Sequence, residues 1–227
     1  NGAVKTFQPK PTEELRRASW KEMVHGIGMN PGTGRMYEDD ARRYLNTWEP
    51  YTGELLQPTA QEQEAFDFMW SRPDEAIFRD WLLKFFAHAG QKPGIKIRWA
   101  PLIKGIEGDG KTILGRLMSV VMGQANVKNV SPHALASTFT SWAEGSCVAV
   151  LEEVRIIGHN RYDIFNALKP YITNDSVPIV GKGSNEKGSC VNVTNYMGFT
   201  NYNDALPVSD GDRRWMIIFS PYTSIEL

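Results

Sequence analysis

The stretch "GIEGDGKT", Gly105 to Thr112, restricts the possible folds of this chain most sharply. It fits the spacing G-x-x-x-x-G-K-[ST], with Gly105, Gly110, Lys111 and Thr112 in the defining places and a further glycine, Gly108, inside the loop. Such a loop works where a strand runs into it and a helix leaves it. The backbone N–H groups at the helix start then wrap phosphate oxygens, and the helix dipole favours their negative charge. The flanking sequence meets both conditions. "IKIRWAPLI", Ile95 to Ile103, reads as a strand, and Thr112 to Met122 reads as a helix with Ile113, Leu114, Leu117, Met118 and Val121 facing inward. Lys111 would bridge the β- and γ-phosphates of ATP, and the Thr112 hydroxyl would hold Mg²⁺. A glycine-rich turn that binds nothing is the competing reading, and the agreement of pattern with context argues against it.

Downstream, strand and helix patterns alternate. "NVKNV" is a short strand, "SPHALASTFTSWAE" a helix, "CVAVL" a buried strand, "NRYDIFNALKPYI" a helix, and "NYMGFTN" and "RWMIIF" are strands. That order predicts an α/β fold with a mainly parallel sheet flanked by helices. Upstream, the first sixty residues read as an irregular segment with one helical pattern, "PTEELRRASWKEMVHG". Thr59 and Glu62 then form a capping-box pair, and after Pro73 a second helix carries Ile77, Phe78, Trp81, Leu82, Phe85 and Phe86 on one stripe. "GQKPG", Gly90 to Gly94, stops that helix, which divides the chain into a leading region, 1–91, and a nucleotide-binding domain, 92–227.

A nucleoside triphosphatase also needs a carboxylate beside the metal and a base for the attacking water. "VAVLEEV" supplies two acids where a buried strand emerges, at the carboxyl end where open α/β sheets place their ligands. Glu152 is assigned to the Mg²⁺ shell and Glu153 to orienting or deprotonating the water. A solvated strand end is the bland alternative, and the phosphate loop displaces it.

"VPIVGKGSNEKGSCVNV", Val177 to Val193, holds two β-branched runs around a glycine-rich turn with Lys182 and Lys187. The formal net charge of −1 gives no global case for nucleic-acid binding, so any such contact is local. Taken alone, the pair reads as a surface turn solubilised by lysine.

Taken in order, "GIEGDGKT", "VAVLEEV", the lysine-bearing hairpin, and "NYMGFTN" followed by "DRRW" resemble the superfamily 3 helicases of viruses and phages, which belong to the AAA+ ATPases. The likeness is to the helicase portion of phage and poxvirus-type primase-helicases. It covers about Lys92 to Phe219, with the helices from Thr59 to Ala89 where that family carries a helical collar. The resemblance implies an AAA+-type ATPase that translocates on single-stranded DNA during genome replication. It also implies a ring, hexameric in that family, and a primase or polymerase module elsewhere on a longer chain. It gives Asn201 the role of sensing the γ-phosphate, and makes Arg213 or Arg214 a finger reaching the neighbouring subunit's ATP site. Lys182 and Lys187 become the candidates that grip DNA phosphates. With no aromatic residue between Lys182 and Gly188, that contact would be to the backbone and carry little sequence information.

The longest apolar runs fall far short of the ~20 residues of a membrane-spanning helix, so no membrane partner is expected. The leading residues lack both an initiator Met and a signal-peptide stretch, which is expected of a fragment of a longer protein. Two cysteines are too few for a disulfide scaffold, so a reducing, cytoplasmic setting is the default, and the resemblance to viral and phage proteins implies the cytoplasm of a host cell. Two other functions fit the phosphate loop. One is a nucleoside or small-molecule kinase, though no Arg-rich lid follows the acidic strand. The other is a non-catalytic ATP-binding oligomerisation or loader module.

Overall fold

The computed structural model describes residues 24–50, 57–70, 76–154, 161–180, 187–203, 205 and 211–220. The phosphate-loop strand lies inside a five-stranded sheet. In chain order the first strands are β1 (Gly26–Gly28), β2 (Met36–Asp39) and β3 (Arg42–Asn46), which form a separate small sheet in the order β1-β3-β2. The irregular segment expected over the first sixty residues therefore contains regular structure. Three to five residues per strand leave too little alternation to read, and the sheet depends on glycines at close approaches. A Cβ on Gly28 would lie 2.2 Å from the Tyr37 hydroxyl oxygen, and one on Gly26 3.3 Å from the Tyr44 ring. The helical pattern before it falls largely on residues 1–23, outside the described residues.

Helix α1 (Ala60–Trp70) begins with the predicted capping box. The Thr59 N–H donates to the Glu62 carboxylate at 2.8 Å, and the Glu62 N–H donates to Thr59 Oγ1 at 3.3 Å. Each residue satisfies a backbone donor that the helix start would otherwise leave open. Helix α2 (Ala76–Gln91) follows.

The main sheet is built from β4 (Ala100–Lys104), β5 (Val127–Val130), β6 (Val148–Leu151), β9 (Asn195–Thr200) and β10 (Trp215–Phe219). Between them come α3 (Lys111–Met122), the single turn α4 (Pro132–Leu135), α5 (Arg161–Thr173), and a hairpin of β7 (Ser176–Val180) with β8 (Lys187–Val191). The order is β10-β4-β9-β6-β5, and every neighbouring pair is parallel. The α/β P-loop fold expected from the sequence, a parallel sheet flanked by helices, is the one observed.

Both faces of this sheet are covered, as a parallel sheet requires. On one face Ala100, Leu102, Ala149, Leu151 and Tyr196 pack with Phe165, Leu168 and Ile172 of α5 and with Val177 and Ile179 of β7. On the other, Ile103, Val148, Val150, Met197, Phe199 and Ile218 pack with Leu82, Phe85, Phe86 and Ala89 of α2 and Met118 and Met122 of α3. At about 1.5–3 kcal/mol for each fully buried large apolar side chain, these two layers are what hold the strand ends in register.

Three sequence expectations change. The strand read over Ile95–Ile103 starts only at Ala100. The Asn195 side chain takes up the backbone of Ile95 and Ile97 instead of leaving it to a strand ladder. The helix read over "SPHALASTFTSWAE" shrinks to α4 and a 3₁₀ turn, Ser141–Ala143. Between them Thr140 turns toward the hairpin, where its Oγ1 accepts from the Val180 N–H at 2.9 Å and its N–H donates to Val180 O at 3.0 Å. The inner stripes are also rotated. Ile77 and Trp81 of α2 and Ile113 and Val121 of α3 are exposed, whereas Gly115 is buried against Phe199 and Val150. A Cβ on Gly115 would stand 3.1 Å from the Phe199 ring, so this glycine is what lets α3 lie so near the sheet. Among the described residues no helix is long and apolar enough to cross a membrane.

Candidate functional site

β4 delivers the chain to Gly105, whose N–H donates to Thr200 O at 3.1 Å. A Cβ on Gly105 would fall 1.8 Å from Asp109 Oδ2 and 2.7 Å from Ser220 Cβ, so only glycine fits at the loop's entrance. Gly108 and Gly110 have φ of 82° and 84°, the left-handed region that glycine reaches without a Cβ clash. Gly110 caps the start of α3 without a side-chain bond, and in the first helical turn the Ile113 N–H donates to Gly110 O at 3.0 Å, so the helix start faces the loop. All three glycines named from the sequence therefore have a steric or conformational reason to be glycine.

Lys111 Nζ donates to Ile106 O at 2.5 Å and to Asp109 Oδ1 at 2.9 Å. The Asp109 side chain is 1% exposed and that of Lys111 9%. Asp109 Oδ1 also accepts from the Lys111 N–H at 3.2 Å. This carboxylate presents an anion to the loop lysine from inside the loop. The sequence reading passed over it, although an acid within a phosphate-binding pattern is visible in "GIEGDGKT".

At the end of β6, Glu152 N–H donates to Val130 O at 3.1 Å, and the Val154 N–H donates to Phe199 O at 2.7 Å. The chain thus crosses from one neighbouring strand to the other within two residues. Glu153 absorbs the change with φ of 46°, a left-handed conformation costly for a residue bearing a Cβ. Its side chain is exposed, and Glu152 is half-buried. Thr200, 2% exposed, holds the turn from the β9 side. Its Oγ1 donates to Val154 O at 2.8 Å and accepts from the Tyr202 N–H at 3.1 Å. With its carbonyl on Gly105, Thr200 joins the phosphate loop, the acidic turn and the segment bearing Asn201. Its place directly before Asn201 was the only sequence signal for this role.

Because β9 lies between β4 and β6, these three strand ends are adjacent. Glu107 to Thr112, Glu152, Glu153 and Phe199 to Asn201 line one cleft of about 320 Å³. Lys111, Thr112, Glu152, Glu153 and Asn201, selected from separate motifs, meet there. The glycine-shaped loop at a helix start and a lysine already engaged by an anion fit a nucleotide's phosphates. Thr112 and Glu152, both lining the cleft, offer a hydroxyl and a carboxylate, hard oxygen donors suited to Mg²⁺.

The remaining candidates lie elsewhere. Arg213 and Arg214 precede β10, whose first residue pairs with Ala100, and Arg214 O accepts from the Ala100 N–H at 2.7 Å. They therefore sit at the amino end of the sheet, and the cleft opens at its carboxyl end. The two arginines also differ. Arg214 is held by Asp212 at 3.3 Å, and Asp212 itself is 3.6 Å from Lys169 of α5. Arg213 is exposed and makes no ion pair among the described residues. Burial pushes the Asp212 carboxyl up, but the bonds from the Arg214 backbone and side chain, with the charges of Arg214 and Lys169, together hold it below its ordinary range. Lys187 is the first residue of β8, opposite Val180, and Lys182 lies outside the described residues.

A family of unknown function, DUF5906, matches residues 103–214, from the phosphate-loop strand to the arginine pair. No curated protein matches the sequence. Among solved structures, an apo structure of the NrS-1 C-terminal region superposes with a TM-score of 0.70 at 19% identity, covering 86% of this chain and 47% of that one. A second apo structure of that region gives 0.66 at 19% identity, with 86% and 46% covered. The chain thus spans just under half of the length of these structures, and the likeness is one of fold.

Proposed function

We propose that this chain is an ATP-hydrolysing motor domain, and in its finer form a superfamily 3 type DNA helicase motor that moves along single-stranded DNA. The observation carrying this reading is the cleft that gathers Lys111, Thr112, Glu152, Glu153 and Asn201 from three adjacent strand ends. Lys111 and the loop N–H groups bind the β- and γ-phosphates, with charge-assisted donors that strengthen as negative charge builds on the transferring group. Thr112 and Glu152 hold Mg²⁺, which neutralises charge on the phosphates. Glu153, exposed at the cleft's rim, orients the attacking water and takes its proton. Asn201 reports the presence of the γ-phosphate from the next strand end.

The placement of the arginines supports action between subunits. Five residues of β4 at about 3.3 Å each, roughly 17 Å, separate the amino end of the sheet from the cleft, beyond the reach of Arg213 into its own site. In this reading Arg213 enters the cleft of a neighbouring copy in a ring, and Asp212 keeps Arg214 as its structural support. Lys182 and Lys187 of the hairpin hold strand phosphates. The reading extends to a cytoplasmic replication protein of a virus or phage, with residues 1–91 as a leading segment followed by collar-like helices, 92–227 as the motor, and a primase or polymerase module on the full-length chain.

The test is steady-state ATP hydrolysis with and without single-stranded DNA. Wild type should hydrolyse ATP and be stimulated by DNA. Lys111→Ala should lose turnover at least 100-fold, and Lys182→Ala with Lys187→Ala should lose only the stimulation. Phosphate transfer to a nucleoside in place of water, or turnover indifferent to Lys111, would overturn the proposal.

A further inference from the structure

Lys96 lies four residues before β4, in the segment that the sequence assigned to a strand. Its Nζ donates to Tyr171 O at 2.7 Å, to Thr194 O, and to Asn192 Oδ1 at 3.3 Å, and it stands 4.7 Å from the centre of the Tyr196 ring. These acceptors come from the last turn of α5 and from the link between β8 and β9, the two ends from which the β7–β8 hairpin springs. Asn192, 3% exposed, completes the clasp. Its Nδ2 donates to Tyr171 O at 2.7 Å and to Asn174 O at 2.8 Å, and its N–H donates to Asp175 O at 2.8 Å.

The neighbours of Lys96 reinforce the same junction. Ile97 N–H donates to Asn195 Oδ1 at 2.7 Å, and Asn195 Nδ2 donates to Ile95 O at 3.1 Å. Arg98 donates to both oxygens of Asp175, at 2.8 and 3.1 Å, and to Thr173 O. Residues 95–98 therefore clamp both roots of the hairpin, and the same backbone continues through β4 into Gly105. β4 is paired with β10 over its whole length and with β9 over Leu102–Lys104, which stiffens it as a bar. An ammonium among carbonyl acceptors suits a joint. Its N–H donors, three when protonated and two when not, can be redistributed among the acceptors without a fixed fork geometry.

We propose that Lys96 is a positioning residue through which the nucleotide state of the cleft sets the position of the β7–β8 hairpin, an inference that rests on the nucleotide-driven reading above. Nucleotide draws on the loop at the carboxyl end of β4; Lys96, at the other end, hands any shift of the strand to the hairpin roots.

Hydrogen exchange of peptides spanning 176–191, read with and without a non-hydrolysable ATP analogue and Mg²⁺, tests this on the 227-residue chain. Nucleotide binding is measured alongside by calorimetry. Wild type should bind the analogue and change hairpin exchange at least threefold. Lys96→Met, which keeps the apolar stem and removes the ammonium, should bind within about threefold of wild type and lose the hairpin response. Asn192→Ala, which loosens the clasp without removing a charge, should weaken that response and serves as the second variant should Lys96→Met not fold. Lys96→Met that binds and still shows the full response overturns the inference, as does Asn192→Ala with an undiminished one. So does a wild type that binds nucleotide with no change in the hairpin, which leaves the nucleotide-driven reading standing. A wild type that binds no nucleotide overturns that reading itself.

Discussion

Replacing Glu153 by glycine should make the protein more stable and less active at once. The turn Glu152–Val154 is fixed from both sides, by Glu152 N–H on Val130 O, Val154 N–H on Phe199 O, and Thr200 Oγ1 on Val154 O. Val154 is fully buried, so the turn cannot relax outward. The cost falls on Glu153 at φ 46°, and a left-handed residue with a Cβ carries about 1–2 kcal/mol of strain. Glycine removes that strain but adds about 0.5–1 kcal/mol of unfolded-chain entropy, which leaves a net gain of up to about 1.5 kcal/mol, centred near 0.75 kcal/mol. For a chain of this size the melting temperature should rise about 1–4 °C. The exposed Glu153 side chain gives up no packing to offset this. Hydrolysis should fall at least about 100-fold, the lower range for losing a positioned base. Glu153→Gln is the control: it keeps the strain and the shape, so its melting temperature should match wild type while its turnover falls as far. The measurements are thermal melts and steady-state ATPase rates. A glycine variant that melts lower than wild type refutes the strain argument, and one that still turns over within a few-fold refutes the role of the carboxylate.

Two further outcomes follow from the buried charges. Asp109→Ala leaves Lys111 without its carboxylate partner, so stability without nucleotide should drop by about 3–5 kcal/mol, and added ATP analogue should raise the melting temperature more than it does in wild type, since phosphate then supplies the missing anion. Equal nucleotide-induced shifts in the two proteins would show that Asp109 does not stand in for phosphate. The second outcome concerns pH. Burial first, and then the nearby Arg98 charge, pull the Lys96 pKa from 10.5 to about 7, against the opposing pull of Asp175. The native state gives up this proton near pH 7 while the unfolded chain keeps it to about pH 10, so the unfolded state binds more protons across that window and stability rises with pH. From pH 7 to pH 9 wild type should gain on the order of 1–2 kcal/mol relative to Lys96→Met, read from denaturant melts; parallel curves for the two proteins would refute it.

The cleft was legible because each of its parts carries a local signature. Gly105, Gly108, Gly110, Lys111 and Thr112 announce themselves by spacing, and Glu152 and Glu153 by following four buried residues of β6. Asn201 needed the order of motifs, since asparagine after threonine is otherwise an ordinary turn. Asp109 and Thr200 escaped for a different reason: their roles are set by partners, Lys111 in space and Val154 across a neighbouring strand, that no periodicity encodes. The three-stranded sheet escaped because its strands are short and its glycines serve the rings of Tyr37 and Tyr44. The helix assigned over Ser131 to Glu144 failed where Thr140 found the backbone of Val180, a side-chain bond that competes with helix formation and is invisible without the hairpin beside it.

The misread strand is the more instructive failure. "IKIRWAPLI" alternates well enough to be a strand throughout, yet its first half carries Lys96 and Arg98, and both side chains are spent on the hairpin roots, 75 to 98 residues away in sequence. Polar residues that break a local pattern in this way mark the place where distant segments are tied together. Here the tie falls at the amino end of β4 and the phosphate loop at its carboxyl end, with Arg213 beside the first and Glu152 beside the second. One strand therefore runs between the cleft where nucleotide chemistry is proposed and the edge where contact with a neighbour and with a strand of DNA is proposed. The proposed coupling needs no long pathway through the core. It needs β4 to stay rigid, which pairing with β10 over its whole length and with β9 over Leu102–Lys104 provides, and its two ends to be anchored differently, which Thr200 and Lys96 provide.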